Sequence, residues 1–584
     1  MRNDYVIKKV YRSFVLVSIL SALTATLGML IDNVIVGRFM GVDALGAMGV
    51  ISPVSLVFSA VGNICSGGGT ARAAQAIGRG DRRSVSNIFS VTCLFAVAAG
   101  MLLTVIGMAF APQIALLLGA QGSLHQPAVE YLRGFFLGAV PTILTTVLMG
   151  FVKIDGSTRL PLLCIVVMTV VNIVLDLAMI FVFKLGMFGM ALATTLAYCT
   201  AVLTGCIHFA RKYCTLSLVR PEKLFKELGA MAATGAPTAL SRVCDTVKVM
   251  TLNNLLVASA GAGAVAALNV RTQAFNIVGA LIMGAASAVM PIAGLFYGGE
   301  DKTALLAALK DALRVGLLLS LSAAVVLVVF PSGFASLLGV KEPEVLSMAA
   351  MAVRLFAVGM PLQLINTVLM NFYQSTRNTT LASAICLLQS LIYTTGFALV
   401  LIRPMGVNGV WTAFLLAEIC TLMTTLAVIA VRSRQVPRSI AHLMLLPSDF
   451  AVDEKDKLEL SIGNSMDEVM LISRNICRFG EVRGLDMQLM KRVSLCIEEI
   501  AGNVVKHAFR PGEKRWLDLV LLNRADHLII RVRDNGVPFD PVAYIQAQEP
   551  STDHVGIRLI TGVADQLEYR RSIGLNNVMI LFKK

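Results

Sequence analysis

Long apolar stretches recur from near the N-terminus to about residue 435, and they constrain the fold more than any other feature of the sequence. About twelve stretches are each roughly 20 residues long, the length needed to cross a bilayer as a helix. They are centred near Leu23, Val57, Ala98, Val140, Val170, Ala197, Leu252, Ile277, Leu319, Val358, Ile392 and Leu422. Lipid offers no water to backbone polar groups, and the runs are too long and continuous for barrel strands, so they should be helices. We therefore predict an α-helical polytopic membrane protein with twelve transmembrane helices and both termini on one side.

Charge is spread unevenly and indicates an orientation. Residues 1–440 contain 31 Lys and Arg against 16 Asp and Glu, whereas the remaining residues are nearly neutral. The basic residues concentrate in alternate loops, which is the pattern that the positive-inside rule produces. We expect a multi-pass protein of the cytoplasmic (inner or plasma) membrane with both termini in the cytoplasm. The bilayer is then its partner, and nucleic acid is not expected to be one. The clearest basic residues of the inner loops are Arg72, Arg79, Arg82, Arg83, Lys153, Arg159, Arg211, Lys212, Arg220, Lys223, Lys226, Arg432, Arg434 and Arg438.

An internal repeat divides the apolar part into two halves. Several Gly, Pro and Asp positions match at an offset of about 220 residues, among them Asp81 with Asp301 and Pro141 with Pro361. Six helices per repeat give both halves the same orientation, so their symmetry axis should lie along the membrane normal. We predict two six-helix lobes, residues 1–220 and residues 221–440.

Two acids lie well inside apolar stretches of the first lobe. They are Asp32 and Asp176, and Asn172 precedes Asp176 by one helical turn on the same face. A carboxylate within a bilayer is costly, and by default it faces an internal cavity and handles ions or protons. The alternative is a structural hydrogen-bonding group or a group near a helix end. The repeat places Leu252 and Gly396 opposite the two acids, so ion coupling is expected mainly in the first lobe.

Residues 10–435 resemble the MATE (multidrug and toxin extrusion) family of cation-coupled antiporters. The resemblance rests on Asp32 followed by VIVGRFMG, on GRGD at 78–81, on the Pro141 segment and on the pattern from Asn172 to Asp176. It implies two six-helix bundles around a V-shaped cavity and export of small organic, often cationic, substrates in exchange for protons, with sodium as the alternative ion. By position, Asp32, Asn172 and Asp176 match the family's coupling residues. Leu177 departs from the family, which usually has proline there.

Two alternatives to an exporter remain open. MATE proteins share their architecture with flippases of lipid-linked precursors, although Lys and Arg are scarce inside these helices, with Arg271 and Arg354 as exceptions. The other alternative is a membrane sensor whose soluble domain binds or phosphorylates a cytoplasmic protein partner. Asp245 and Glu418 are further buried-looking acids, and Asp245 lies close to Arg242 and Lys248 in the sequence.

The sequence changes character after Arg438. Residues 441–457 have the composition of a linker, and residues 458–584 are long enough for one independent core. Alternation in LDLVLLNRADHLIIRVRDNG predicts a hairpin, and MKRVSLCIEEIAGNVVKHAF has helical spacing with Glu499, Asn503 and His507 on one face. Val555 to Ile557 opens a run through Arg571 that we expect to be a helix. The predicted class of this domain is α+β.

This C-terminal domain resembles the GHKL ATP-binding fold of anti-sigma-factor serine kinases. The corresponding boxes are CIEEIAGNVVKHAF, VRDNGVPFDP and HVGIRLI with the distal GLNNVMILFK. The resemblance implies ATP with Mg²⁺ as cofactors and assigns a role to each matching residue. Asn503 would hold the magnesium ion, Glu499 would be the catalytic base of a serine/threonine kinase, Asp534 with Gly536 would bind adenine, and Gly556 would approach the phosphates. Asp553 and His554 stand where the family usually has glycines, which favours nucleotide binding over phosphoryl transfer. We expect a nucleotide-binding regulatory domain.

Overall fold

The computed structural model describes residues 4–120, 122–157, 159–211, 214–338, 340–447, 450–509, 515–542, 560 and 562–584. Its first eight helices are α1 (Tyr5–Phe39), α2 (Val42–Asn63), α3 (Gly69–Arg79), α4 (Arg82–Leu117), α5 (His125–Leu137), α6 (Ala139–Ile154), α7 (Leu160–Phe181) and α8 (Gly186–Cys206). The following seven are α9 (Leu224–Gly298), α10 (Lys302–Val329), α11 (Pro331–Leu337), α12 (Pro343–Ser375), α13 (Thr379–Leu387), α14 (Tyr393–Met405) and α15 (Val407–Ser433). The C-terminal domain contains β1 (Lys457–Gly463), α16 (Met466–Arg483), α17 (Met487–Asn503), β2 (Trp516–Asn523), β3 (His527–Asp534), β4 (Gln566–Ser572) and β5 (Leu575–Lys583).

The number of helices able to cross a membrane is slightly lower than predicted. Within the described residues, ten helices are long and apolar enough, and the pair α5 and α6, bent by 47°, makes an eleventh if it counts as one span. The predicted twelfth, near Leu252, lies in the first half of α9, which breaks at Gly261 (φ 71, ψ −162). That half is helical, but it carries Arg242, Asp245 and Lys248, and these charges lower its apolar character below that of the other spans.

The two halves of the membrane part meet through closely packed glycines. A β-carbon at Gly68 would lie 2.1 Å from the carbonyl oxygen of Met231, and one at Gly298 would lie 1.9 Å from that of Gln75. Such distances leave no room for any side chain, so α3 and the π-helical turn before it press directly on α9. The contact lies on the side of the membrane part that faces the C-terminal domain, here called the domain side. The glycine run at 67–69 is therefore a helix-packing element.

The C-terminal domain is a five-stranded antiparallel sheet in the order β1-β2-β3-β5-β4. Alternate strand residues, among them Leu519, Ile530 and Ile580, pack with α16 and α17 into one apolar core. The predicted hairpin and the α+β class are confirmed. The expected helix through Arg571 is wrong over Gln566–Ser572, because Leu567 and Tyr569 alternate into the core and the segment pairs with β5 as β4. β1 begins at Lys457, the last residue of the predicted linker.

Candidate functional site

The two buried acids of the first lobe share one amide. The Asn172 side-chain nitrogen donates hydrogen bonds to Asp32 Oδ1 at 2.9 Å and to Asp176 Oδ2 at 2.8 Å. Asp176 is fully buried and Asn172 is 8% exposed. Because Asn172 and Asp176 are four residues apart on α7, the helix presents them together to α1, which carries Asp32. Within the described residues, Asp176 Oδ1 has no hydrogen-bond partner, so the cluster retains an acceptor for a proton or a cation.

The second lobe holds a different polar cluster around Glu418. Its carboxylate accepts hydrogen bonds from Asn366 at 2.9 Å and from Gln389 at 2.9 and 3.1 Å. Nearby in the same lobe, the Arg271 guanidinium lies 3.6 Å from the centre of the Phe414 ring. The sequence pointed to Glu418 as a buried acid, but its two amide partners were missed. They lie on α12 and in the turn after α13, which no short motif connects.

Asp245 has a partner of its own. Its Oδ1 accepts a hydrogen bond from the Lys248 ammonium group at 2.7 Å, one helical turn further along α9. Of the two interpretations that the sequence left open, this geometry favours a structural ion pair. The carboxylate is 40% exposed, so the pair contributes little to stability.

The nucleotide-site candidates of the C-terminal domain lie on α17 and at the end of β3. Asn503 is the last residue of α17 and donates a hydrogen bond to Glu499 Oε1 at 3.3 Å. The chain then forms a π-helical turn, Val504–Ala508, so His507 does not continue the predicted face and is exposed. The turn after β3 contacts this segment, since Val537 N donates to the Ala508 carbonyl oxygen at 2.9 Å. A β-carbon at Gly536 would lie 2.4 Å from that same oxygen, which explains why glycine is required there.

Asp534 is oriented by two hydrogen bonds to one of its oxygens. Gly536 N and the Asn576 side-chain nitrogen each donate to Oδ1 at 2.8 Å. Burial raises the pKa of the Asp534 carboxyl to about 6, and these two hydrogen bonds oppose the rise. The sequence included Asn576 in a family box without giving it a role, and the structure places it behind the adenine candidate.

These residues fit both the magnesium ion and the adenine of a Mg²⁺-ATP complex. Asn503 and Glu499 provide oxygen ligands of the kind that magnesium accepts, and Asp534 provides a buried acceptor for an adenine amino group. The closely packed Gly536 leaves the turn without a side chain beside that acceptor. Gly556, predicted to approach the phosphates, lies outside the described residues, as do Asp553 and His554.

The outer face of the domain's sheet is charged and is buried against the membrane part. Arg533 Nη1 lies 2.6 Å from Asp301 Oδ2, with side chains 5% and 2% exposed, and Arg531 donates to the Gly299 carbonyl oxygen. Gly299 and Asp301 form the turn between α9 and α10 in the second half of the membrane part. Burial lowers the pKa of Arg531 to about 10, as expected for a guanidinium removed from water.

The same sheet also contacts the first half. Arg570 donates to Thr215 Oγ1 at 2.9 Å, and the Ile573 N–H group donates to the Ile154 carbonyl oxygen at 3.0 Å. Arg82, at the start of α4, donates to the Tyr569 carbonyl oxygen. The C-terminal domain therefore bridges both halves on the domain side. The alternation of charged and apolar residues in β3 and β4 indicates a charged face, but it does not show that this face is buried against the membrane part.

Comparison with known proteins agrees with both parts of the chain. The MatE family profile matches residues 18–178 and 237–399, more than half of the chain and in two segments of similar length. A histidine kinase-like ATPase domain matches residues 464–582. The "Multidrug export protein MepA" of Staphylococcus saprophyticus is 26% identical over 399 residues, covering 67% of this chain and 86% of that protein. MepA of Staphylococcus aureus is 24% identical over 400 residues, with the same coverage.

Solved structures resemble the membrane part. A MOP superfamily transporter from Pyrococcus furiosus, described as having a binding pocket of reverse polarity, aligns with a TM-score of 0.69 and 21% identity, covering 75% of this chain and 97% of that one. A crystal structure of MATE in complex with MaL6 aligns with the same TM-score, identity and coverage. These alignments confirm the fold, and the twofold profile match confirms the internal repeat. The chain belongs to the MatE family and carries a histidine kinase-like ATPase domain at its C-terminal end.

Proposed function

We propose that the protein is a proton-coupled antiporter that exports organic cations across the cytoplasmic membrane, with the domain side in the cytoplasm. The observation that carries the proposal is the Asn172 amide between Asp32 and Asp176. The names of the MepA relatives, which are multidrug export proteins, support export as the direction. The loop charges support the orientation.

Competition between protons and substrate for one pair of carboxylates would couple the two flows. With both carboxylates ionised, the pair attracts a cation strongly because the surroundings are apolar. A proton that enters from outside removes one of these charges and weakens the hold on the cation. The proton and the substrate then favour different states of the transporter, and each shifts the equilibrium by its differential affinity for those states. Asn172 would keep the two carboxylates within reach of each other in both charge states.

Transport in proteoliposomes tests this proposal. The measurements are efflux of an organic cation such as ethidium under an imposed proton gradient, and under an imposed sodium gradient, for the wild type, Asp32→Asn and Asp176→Asn. We expect both variants to lose proton-driven export. Glu130→Gln is the matched control, because Glu130 is a first-lobe carboxylate whose hydrogen bond within the described residues comes from the nearby Gln126. Proton-driven export that persists in both Asp variants would rule the proposal out, and export driven by sodium alone would reassign the ion.

We further propose that the C-terminal domain binds ATP with Mg²⁺ and regulates transport. Asn503 would hold the metal ion and Asp534 the adenine, and bound nucleotide would supply the charge of its phosphates beside α17. Regulation is supported by the contacts of the domain with both halves through Arg533, Arg570 and Ile573. Export requires the two halves to separate on the domain side, and a domain docked on both opposes that separation. Glu499 would act as a base only if a serine or threonine of a protein partner reached it.

The full chain in nanodiscs provides the test of this second proposal. We expect ATP binding that needs Mg²⁺ and falls at least about tenfold in Asn503→Ala, a loss typical of one charge-assisted contact. Transport rates with and without ATP then show whether nucleotide acts on transport, and Asn475→Ala, on an exposed face of α16, serves as the control. ATP binding without any effect on transport would favour the protein-partner alternative. If the full chain does not bind ATP, both the regulation of transport by ATP and the protein-partner alternative are ruled out.

A further inference from the structure

A cavity of about 470 Å³ lies between the first half of the membrane part and the C-terminal domain. The start of α1, the loop between α6 and α7, the end of α8 and two turns of the domain form its walls. Its volume is within the range of sites that bind small molecules. Five basic residues line it: Lys9, Arg159, Arg211, Arg515 and Arg571.

The acid in this cavity is already engaged. Asp155, 2% exposed, accepts hydrogen bonds from His208 Nε2 at 2.8 Å and from the Thr215 backbone N–H group at 3.0 Å, and a further one from the Thr215 hydroxyl group. Asp155, His208 and Cys214 are close enough to share a metal ion. The bonds to Asp155 already account for both of its oxygens.

Several polar groups of the cavity have no partner or only an uncharged one. His208 is 3% exposed, and its Nδ1 has no partner within the residues that the structure describes. Across the same residues, neither Lys9 nor Arg159 forms an ion pair. Arg211 donates to the Ser157 hydroxyl group at 3.0 Å and Arg571 to Asn576 at 3.4 Å, and both partners are uncharged.

The basic residues come from two parts of the molecule that must meet to form the cavity. The positive-inside rule accounts for Arg159 and Arg211 in loops, but Arg571 belongs to the C-terminal domain. Gly156 has a φ of +94° and lets Arg571 approach, since a β-carbon there would lie 2.9 Å from Arg571 Cγ. Docking therefore brings like charges together, which is unfavourable unless an anion lies between them.

We propose that this cavity binds a phosphate-bearing anion that joins the C-terminal domain to the first half of the membrane part. Guanidinium groups recognise phosphate oxygens through paired hydrogen bonds, and the unpartnered His208 Nδ1 adds one more when the imidazole carries a proton on both nitrogens. The anion is either the headgroup of an acidic phospholipid or a soluble phosphorylated compound. The cavity is lined by none of the transport or nucleotide candidates, but Arg571 contacts Asn576, which orients Asp534. Among the described residues Arg159 has no such contact, so Arg159→Gln tests this site separately from the proposed function.

A second cavity gives a matched control. It has the same volume of about 470 Å³ and lies at the corresponding loop of the second half, after α12, where residues of the linker cover it. Only Lys302 and Arg432 supply positive charge there, and Leu445, Leu446 and Phe450 make much of its wall apolar. A substitution in this cavity changes the charge of the same side of the molecule without touching the proposed site.

Thermal unfolding of the full chain in nanodiscs tests the proposal. One arm titrates inorganic phosphate into phosphatidylcholine nanodiscs, and the other replaces part of the phosphatidylcholine with phosphatidylglycerol in phosphate-free buffer. We expect one arm to raise the Tm of the wild type, and that arm identifies the source. The double variant Arg159→Gln, Arg571→Gln should need about tenfold more of the effective probe, as should Arg159→Gln alone to a lesser degree. Arg432→Gln should respond like the wild type.

Two results would overturn the proposal. One is a wild-type Tm that neither phosphate nor phosphatidylglycerol changes. The other is an equal rise in the wild type and in Arg159→Gln, since that would mean that the anion binds elsewhere. Arg159 is exposed at the start of α7, so this single variant should fold even if the double variant does not.

Discussion

The two halves of the membrane part share one architecture but hold different polar clusters. In the first half, two acids surround one amide, with Asn172 between Asp32 and Asp176. In the second half, one acid is surrounded by two amides, with Glu418 between Asn366 and Gln389. Within the described residues, the first cluster leaves Asp176 Oδ1 without a donor, whereas both oxygens of Glu418 in the second cluster accept hydrogen bonds. A repeat can therefore preserve a scaffold while its two copies take different chemical roles.

The shared features are those that the scaffold itself needs. Asp81 and Asp301 correspond in the repeat, and each caps a helix, accepting from Ser84 N at 2.9 Å and from Ala304 N at 3.0 Å. A cap of this kind stabilises a helix start by roughly 1 kcal/mol in either half. Buried acids give no such benefit to the fold. Within the described residues, a pair of acids that shares one amide occurs in the first half only, and this difference points to function.

The largest expected effect comes from removing the central amide of each cluster. Asn172→Ala leaves two buried carboxylates without the donor between them, and we expect proton-driven export to fall by about 100-fold, the loss of roughly 3 kcal/mol typical of a buried polar network. Asn366→Ala leaves Glu418 with Gln389, and we expect a decrease of less than about fivefold. Initial rates of efflux from proteoliposomes at matched protein levels measure both. Equal losses of export would show that the two clusters contribute alike to transport.

The next effect concerns the turns at Asp301 and Asp81. Asp301→Asn keeps a capping side chain but removes the charge that faces the buried Arg533, and we expect docking of the domain to weaken by about 2 kcal/mol. Asp81→Asn is the matched change in the first half. No described basic side chain lies within 4 Å of Asp81, so the expected change is below about 0.5 kcal/mol.

Hydrogen exchange of β3 and protease cleavage of the linker measure this docking. Faster exchange and cleavage in Asp301→Asn alone would support an asymmetric attachment of the domain. Similar changes in both variants would show that the domain depends on the two halves equally.

A smaller and symmetric effect is expected at the glycine contacts between the halves. Gly78 lies against the Leu295 carbonyl oxygen and Gly298 against that of Gln75, with β-carbon distances of 2.0 and 1.9 Å. Either glycine replaced by alanine should force the halves apart at a cost of about 1 to 2 kcal/mol. Distances between spin labels on the domain side measure this, with Gly229→Ala as the control because open space surrounds Gly229. A response from one variant only would extend the asymmetry from the polar clusters to the packing.

Most of the fold could be predicted from the sequence because the apolar stretches and the repeat recur at regular intervals. Apolar length predicted the helices, and a constant offset predicted two halves that the twofold family match confirms. The first half of α9 was harder to predict, because its length suggested a membrane span while its charged residues lower its apolar character. β4 was mistaken for a helix because Leu567 continues the helical spacing of Ile560 and Val563. The pairing with β5, a contact between separate segments of the chain, shows that residues 566–572 form a strand.

The candidate sites were predictable where the partners lie close in sequence. Asn172 and Asp176 are one turn apart, and so are Glu499 and Asn503, and the structure brings each pair together. Asn366 and Gln389 were missed because their shared partner, Glu418, lies on a third segment. The buried charged face of the sheet was missed for the same reason. Arg533 and Asp301 are separated by more than 200 residues, and no local pattern reports such a contact.

The smallest expected effect is a pH dependence of ATP binding. It tests whether pH acts on the protein only through the first half of the membrane part. The pKa of Asp534 is raised to about 6, and an adenine amino group favours the ionised carboxylate, so ATP affinity should decrease as pH falls through that value. Between pH 7.5 and 5.5 we expect about a fourfold decrease, or roughly 0.8 kcal/mol. Asp534→Asn should bind ATP weakly and show little pH dependence. Asp176→Asn should bind ATP with the wild-type pH dependence, because its carboxylate lies in the membrane part. If Asp176→Asn instead abolishes that dependence, the proton site of the first half controls the domain, and the asymmetry between the halves reaches the nucleotide site.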